Sequence, residues 1–98
     1  MSEATSITIK RDVSAGEKTL YELKSVASDA ETITIPTTQT EITTTSVVQI
    51  VGVNDVSNGT GGKVSTTNVT YSAGNRQFTF NKTGATDVDL RILFYLGD

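Results

Sequence analysis

The chain has 98 residues with a formal net charge of −3, and it contains no His and no Cys. Without these side chains, Ser-His-Asp and Cys-His catalysis and the commonest transition-metal ligands are excluded. The acidic balance, with basic residues scattered along the chain, argues against a protein that binds a nucleic-acid backbone.

Length and composition predict one β-rich domain. A chain of this length builds a single core, so we expect one domain over residues 1–98. Thr makes up about a fifth of the sequence, far above its ordinary share, and β-branched side chains favour strands. No apolar run reaches the roughly 20 residues that span a bilayer, and residues 1–10 lack the features of a secretion signal. We therefore expect a chain that is made in a cytoplasm and does not enter a membrane.

Seven segments have the pattern of strands, and their spacing predicts an antiparallel β-sandwich or a jelly-roll-like domain. The first, Thr5–Lys10, places Ile7 and Ile9 on one face. The third, Glu31–Ile35, alternates isoleucine with threonine and ends at Pro36, because proline removes a donor from the strand ladder.

The second segment, residues 15–27, fits both a short helix and a strand. A capping-box pattern begins at Ser14, and Leu20 and Leu23 belong to a series of apolar residues at helical spacing. Against the helix, a glycine lies in what would be its first turn, and residues 19–26 can also pair as a bulged strand. We expect the strand, because the other six segments already supply two sheets.

The middle of the chain combines a Thr-rich stretch with the most apolar strand. Thr37–Thr45 can be an extended edge or a loop, and Ile42 predicts that it is anchored. Ser46–Val56 is apolar on both faces, a pattern that predicts a central strand covered on both sides. Residues 54–62, rich in Asn and Gly, predict a long hairpin loop.

A second hairpin follows this loop. A strand from about residue 63 to residue 71 leads through a turn at residues 72–75 into a strand at residues 76–81. Phe78 and Phe80 share one face of that strand. We expect both aromatic side chains in the core.

The last strand, Val88–Leu96, has the clearest pattern. Apolar residues fill every second position, so one face is apolar throughout. The other face is polar at first and becomes apolar at Leu93 and Tyr95. A strand that is apolar on both faces needs cover from a further layer or from a partner. Leu93 and Tyr95 are therefore candidate contacts with another subunit.

Charged residues at the start of the last strand are the one candidate for catalysis. Asp87 and Asp89 lie about 7 Å apart on one face of the predicted strand, within the range used by paired acids in glycoside hydrolases. Arg91 follows in the same row, so a surface ladder of charges explains all three residues better. We predict no catalytic residues, no metal site, no cofactor and a protein that is not an enzyme.

The chain as a whole resembles small virion proteins of tailed bacteriophages. Its Thr-, Ser- and Val-rich composition, its Gly- and Asn-containing hairpins and its final strand, ending in Leu93-Phe94-Tyr95-Leu96-Gly97-Asp98, are most similar to those of capsid decoration, or cement, proteins. The resemblance implies a homotrimer on the outer capsid surface that binds the major capsid protein and stabilises the shell. Strand addition to a partner's sheet suits this role, with residues 1–10 or Thr37–Thr45 as the edges.

A second resemblance gives the alternative function. Gln77–Asn81 followed by Val88–Tyr95 is similar to the closing strands of jelly-roll head domains in fibre proteins. This resemblance implies a fibre- or tail-associated β-sandwich that recognises a host carbohydrate or receptor. The two functions place the protein at different parts of the virion.

Overall fold

Residues 2–15, 18–56 and 64–97, which the computed structural model describes, form strands and one 3-10 helix. None of them belongs to a helix that is long and apolar enough to cross a membrane. The prediction of an all-β fold is confirmed. The elements are β1 (Thr5–Ala15), β2 (Lys18–Ala27), β3 (Glu31–Thr34), β4 (Val47–Asp55), the 3-10 helix (Thr66–Asn68), β5 (Val69–Ser72), β6 (Gln77–Phe80) and β7 (Val88–Gly97).

The strands form two antiparallel sheets, as expected for a β-sandwich. The four-stranded sheet has the order β1-β2-β7-β4, and the three-stranded sheet has the order β3-β6-β5. An immunoglobulin constant domain has the orders 1-2-5-4 and 3-6-7. Here the fifth and seventh strands have exchanged sheets, so β7 lies inside the larger sheet.

Lys18–Ala27 forms strand β2 and Ala15 ends strand β1, so the helical alternative for residues 15–27 is wrong. Its side chains alternate in burial, with Tyr21, Leu23 and Ala27 buried. The ladder between β2 and β7 is unbroken, and this long pairing overrides the local helical spacing of the apolar residues. The bulge predicted within residues 19–26 is not found in β2. The extra residues lie in β1 instead, whose register against β2 shifts between Thr5 and Thr8 and again between Arg11 and Ser14.

Strand β4 lies at an edge of its sheet, so the prediction that Ser46–Val56 forms a central strand is wrong. Val48 and Ile50 pack against the core on the inner face. Val47 and Val51 point to the other face and are exposed. The apolar residues on the second face of this strand are therefore not covered by a layer of the domain.

The strand predicted to begin near residue 63 begins later, at Val69. The 3-10 helix precedes it, and the Ser65 backbone N–H donates to the Asn68 side-chain carbonyl at 3.0 Å. This capping interaction favours a turn over an extended strand at that point. Residues 57–63, which include most of the loop predicted at 54–62, lie outside the described residues.

The core lies between the two sheets and is centred on β7. Leu90, Ile92 and Phe94 of β7 are fully buried, as are Phe78 and Phe80 of β6, so the predicted inner faces of both strands are confirmed. The ring centroids of Phe78 and Phe94, which belong to different sheets, are 5.2 Å apart. Such tilted aromatic pairs add to the stabilisation from buried area alone.

The Thr-rich segment is a series of turns anchored by one arginine. Ile42 is buried, as the sequence predicts. The Arg76 guanidinium donates to backbone carbonyls of Ile42 at 2.7 Å, Gln39 at 3.0 Å, and Ile35 and Pro36 at 3.4 Å. These four carbonyls belong to one segment, so a single side chain holds residues 35–42 against the end of the sandwich.

The N-terminal residues contact both sheets. Ala4 donates its backbone N–H to the Thr32 carbonyl at 2.7 Å, which adds a short parallel bridge to the edge of β3. The Glu3 carboxylate accepts hydrogen bonds from Thr32 and from Thr34. From Thr5 onward the chain pairs with β2 in the other sheet, and the first register shift of that ladder contains Ser6, whose φ is +55°. Residues 2–11 therefore close one side of the sandwich.

We expect Arg76→Ala to lower the free energy of unfolding by about 2 kcal/mol, because partly buried carbonyls lose a charged donor. Urea denaturation measures this loss, and hydrogen exchange should become faster in residues 37–46. Lys24→Ala, which removes an exposed cation from β2, is the control and should change stability by less than about 0.5 kcal/mol. Equal stabilities of Arg76→Ala and the wild type would contradict the anchoring role.

Candidate functional site on the outer face of the four-stranded sheet

The outer face of the four-stranded sheet carries a group of apolar side chains that we call the apolar belt. Its members come from three adjacent strands and face away from the core. Those at the edge are the most exposed, at 54% for Val47 and 44% for Val51, while the others are half-buried. The belt consists of Leu20 on β2, Leu93 and Tyr95 on β7, and Val47 and Val51 on β4.

A bulge in β4 shapes the centre of the belt. The register shifts between Ile50 and Gly52, so that Val51 and Gly52 together lie opposite Leu93. A β-carbon added at Gly52 would lie 3.5 Å from Leu93 Cδ1, which is ordinary contact. Because the glycine has no side chain, position 52 contributes no side-chain contact to Leu93.

A lysine borders the belt at one end. Lys18 Nζ donates to Gln49 Oε1 at 3.3 Å, across the width of β7. The same ammonium lies 5.9 Å from the centroid of the Tyr95 ring, close enough for a cation–π interaction. These two contacts orient the tyrosine ring and place a positive charge beside the apolar surface.

Charged and polar residues border the belt at the other end. Arg91 lies 3.4 Å from Glu22 of β2 and also donates to Asn54 of β4 at 3.3 Å. Lys24 and Asp89 lie beyond this group and are exposed. The face is thus divided into a polar half and the apolar belt, the division that the sequence of β7 predicts.

The predicted row of Asp87, Asp89 and Arg91 forms only in part. Asp87 precedes β7, has φ of +46° and donates its backbone N–H to Ser28 Oγ at 2.9 Å. Arg91 pairs with Glu22 on the neighbouring strand. Within residues 2–15, 18–56 and 64–97, no group of three or more acidic, His or Cys side chains is placed to hold a metal ion.

A cavity of about 360 Å³ opens at one end of the sandwich. Beside it, the Tyr21 hydroxyl donates to the Glu41 carboxylate at 3.1 Å. Burial, and then this carboxylate, raise the pKa of Tyr21 above its usual value, which favours the neutral hydroxyl that donates to Glu41. Most of the surrounding side chains are hydroxyls or carboxylates; the lining residues are Thr19, Glu41, Thr43, Thr45, Ser46, Leu96 and Gly97.

The sequence pattern identified two of the five belt residues. Leu93 and Tyr95 follow from the alternation along β7 alone. Leu20 was missed because its strand was also compatible with a helix, and Val47 and Val51 were missed because their strand was expected at the centre of a sheet. Only the register of β7 against β2 and β4 brings the five together.

Gly52→Ala should be tolerated, because its β-carbon finds space beside Leu93 and the residue has no positive φ. We expect the variant to be more stable by about 0.5 kcal/mol, through the lower entropy of its unfolded chain. The matched control is Gly84→Ala, which should lose about 1 kcal/mol because φ there is +84°. Thermal unfolding distinguishes the two; destabilisation in Gly52→Ala would show that β4 has no room beside Leu93.

Comparisons of the chain with protein-family models, with curated proteins and with solved structures found no match. The function is therefore inferred from the geometry of the described residues and from the sequence. The feature with the clearest chemical character is the apolar belt with its polar borders.

Proposed function

We propose that the protein is a non-enzymatic structural protein whose apolar belt binds another protein. The observation that carries this proposal is the position of Leu93 and Tyr95, which are apolar and lie on the outer face of a sheet whose inner face already forms the core. Apolar surface bordered by polar residues is typical of protein contact sites. A tyrosine at the centre of such a surface is a frequent source of binding energy.

The size of the belt side chains indicates a useful binding energy. Fully burying one Val, Leu or Phe-sized side chain contributes roughly 1.5–3 kcal/mol, and part of that gain is offset by the cost of association. Five belt residues of this kind can stabilise a contact, provided that the partner covers several of them together. The polar ends at Lys18 and Arg91 then fix the orientation of the partner.

We further propose that this contact serves on a bacteriophage capsid, where the protein acts as a decoration protein. Support comes from the resemblance of the whole chain to such proteins. In this role the belt contacts the major capsid protein or a neighbouring copy, and many weak contacts together stabilise the shell. A homotrimer on the outer capsid surface is the arrangement that the resemblance implies.

The cavity beside Tyr21 favours a second candidate function. Its hydroxyl and carboxylate groups suit a small polar ligand such as a sugar. A fibre- or tail-associated module that recognises a host carbohydrate would use this end of the sandwich and leave the belt for attachment. The two functions differ in where the protein is found on the virion.

Immunogold labelling of virions tests the proposed location. We expect label distributed evenly over the head, because a decoration protein repeats with the capsid lattice. Label confined to the tail or to fibre ends would overturn the decoration role and favour the carbohydrate-binding alternative. Virions prepared without the protein provide the control for background labelling.

Replacing both Leu93 and Tyr95 by Ser tests the belt as a contact surface. We expect a lower oligomer mass in light scattering with unchanged β-type circular dichroism, because neither side chain is needed in the core. The control is Lys24→Ser with Asp89→Ser on the polar half of the same face, which should keep the mass of the wild type. Loss of the β-type spectrum would show that the two residues support the fold.

A further inference from the structure

The two edges of the four-stranded sheet differ in charge and regularity. The edge strand β1 carries Lys10 and Arg11 and has two register shifts against β2. Charges and bulges on an edge are the features that hinder pairing with another sheet. The opposite edge strand, β4, has one charged residue, Asp55 at its end, and its single bulge follows Ile50.

The backbone groups on the open side of β4 can be assigned from the ladder with β7. Val56 donates its backbone N–H to the Asp89 carbonyl at 2.9 Å, so the groups of Asp89 point toward β4. Along a strand, the backbone N–H and C=O groups of successive residues point to opposite sides. Because the ladder of β7 with β2 is unbroken, the backbone groups of Tyr95 and Gly97 also point toward β4. The backbone groups of Leu96 and Phe94, which lie opposite Val48 and Ile50, point toward β2 instead.

Val48 and Ile50 therefore present their backbone N–H and C=O groups to the open side of β4. Apart from the ladder with β7, no backbone hydrogen bond within the described part of the chain involves residues 47–54. Unpaired edge groups of this kind are a template for an added strand.

We propose that β4 pairs antiparallel with β4 of a second copy, about a two-fold axis at Gln49. In this register Val48 of one copy lies opposite Ile50 of the other, and the two exchange backbone hydrogen bonds. Val47 lies opposite Val51 of the second copy on the outer face. The two four-stranded sheets then become one continuous sheet.

A second copy is the occupant that fits this edge, because the segment from Val47 to Val51 is complementary to itself. The two residues of each cross-strand pair have their side chains on the same face of the sheet, and all of these side chains are uncharged. Cross-strand pairs of β-branched residues stabilise a sheet. The bulge formed by Val51 and Gly52 ends the regular pairing and limits the contact to this segment. The register about Gln49 is the one in which Val48 and Ile50 of both copies pair with each other.

Pairing at this edge also extends the apolar belt. Val47 and Val51 are its most exposed members, and in the pair they come together between the Leu93 and Tyr95 side chains of the two copies. The result is one apolar surface across both copies. This contact is distinct from the proposed contact through Leu93 and Tyr95, and it does not depend on a role on the capsid.

Charge substitutions at Val47 and Val51 test the register. Both side chains are exposed, and they lie about 13 Å apart within one strand, so they meet only across the axis. We expect Val47→Lys with Val51→Lys to halve the assembled mass in sedimentation and to raise the dissociation constant by about tenfold or more. Val47→Lys with Val51→Glu should restore pairing at low salt and lose it at high salt.

A backbone substitution tests the hydrogen bonds directly. Val48→Pro removes an N–H that faces the open side and leaves the ladder with β7 intact. We expect it to reduce the assembled mass, while Val48→Thr, which keeps the N–H and a branched side chain, retains the mass of the wild type. Circular dichroism verifies that each variant is folded. If Val48→Pro unfolds, the Lys–Lys and Lys–Glu variants at Val47 and Val51 decide whether the edge contact forms.

Three results would overturn the edge contact. The first is a wild-type chain that stays monomeric at millimolar concentration. The second is an unchanged mass in Val47→Lys with Val51→Lys. The third is failure of the Lys–Glu combination to restore the mass. An assembly that is lost in the Leu93 and Tyr95 double variant but kept in the Lys double variant would reject the edge and support the face contact, so the two proposals are separable.

Discussion

Strand β7 holds the domain together because it is hydrogen-bonded on both sides and buried on its inner face. It pairs along its length with β2 and with β4, and its residues Leu90, Ile92 and Phe94 are fully buried. The contact of Phe94 with Phe78 connects this strand to the second sheet. Apolar surface buried at alternate positions stabilises only one register, since a shift by one residue would turn these side chains to solvent.

The features that alternate along a single strand could be predicted from the sequence. The inner face of β7 and the pair Phe78 and Phe80 follow from period-two patterns of apolar residues. Residues 15–27 were ambiguous because Leu20 and Leu23 satisfy a helical spacing as well, and the decision lay in pairing with a strand at the far end of the chain. The exposure of Val47 had no local signal, because a buried second face and an unpartnered one have the same composition.

The candidate site could also be predicted only in part from the sequence. Leu93 and Tyr95 could be predicted because both lie on β7, whereas Val51 joins them only through the register and the bulge of β4. The arginine that anchors the Thr-rich segment could not be predicted either, since Arg76 contacts carbonyls far from it in the sequence. Backbone acceptors carry no residue-specific pattern, so such contacts become visible only in three dimensions.

The place of β7 within its sheet has a consequence for folding. Strand β7 follows the other six strands in the sequence, so neither β2 nor β4 can complete its ladder until those six strands have been synthesised. Pairing between residues so distant in sequence is slow, because loop-closure entropy is lost before the contacts form. The apolar strand β4 therefore remains without a partner in the nascent chain, and at high expression this interval is when aggregation competes with folding.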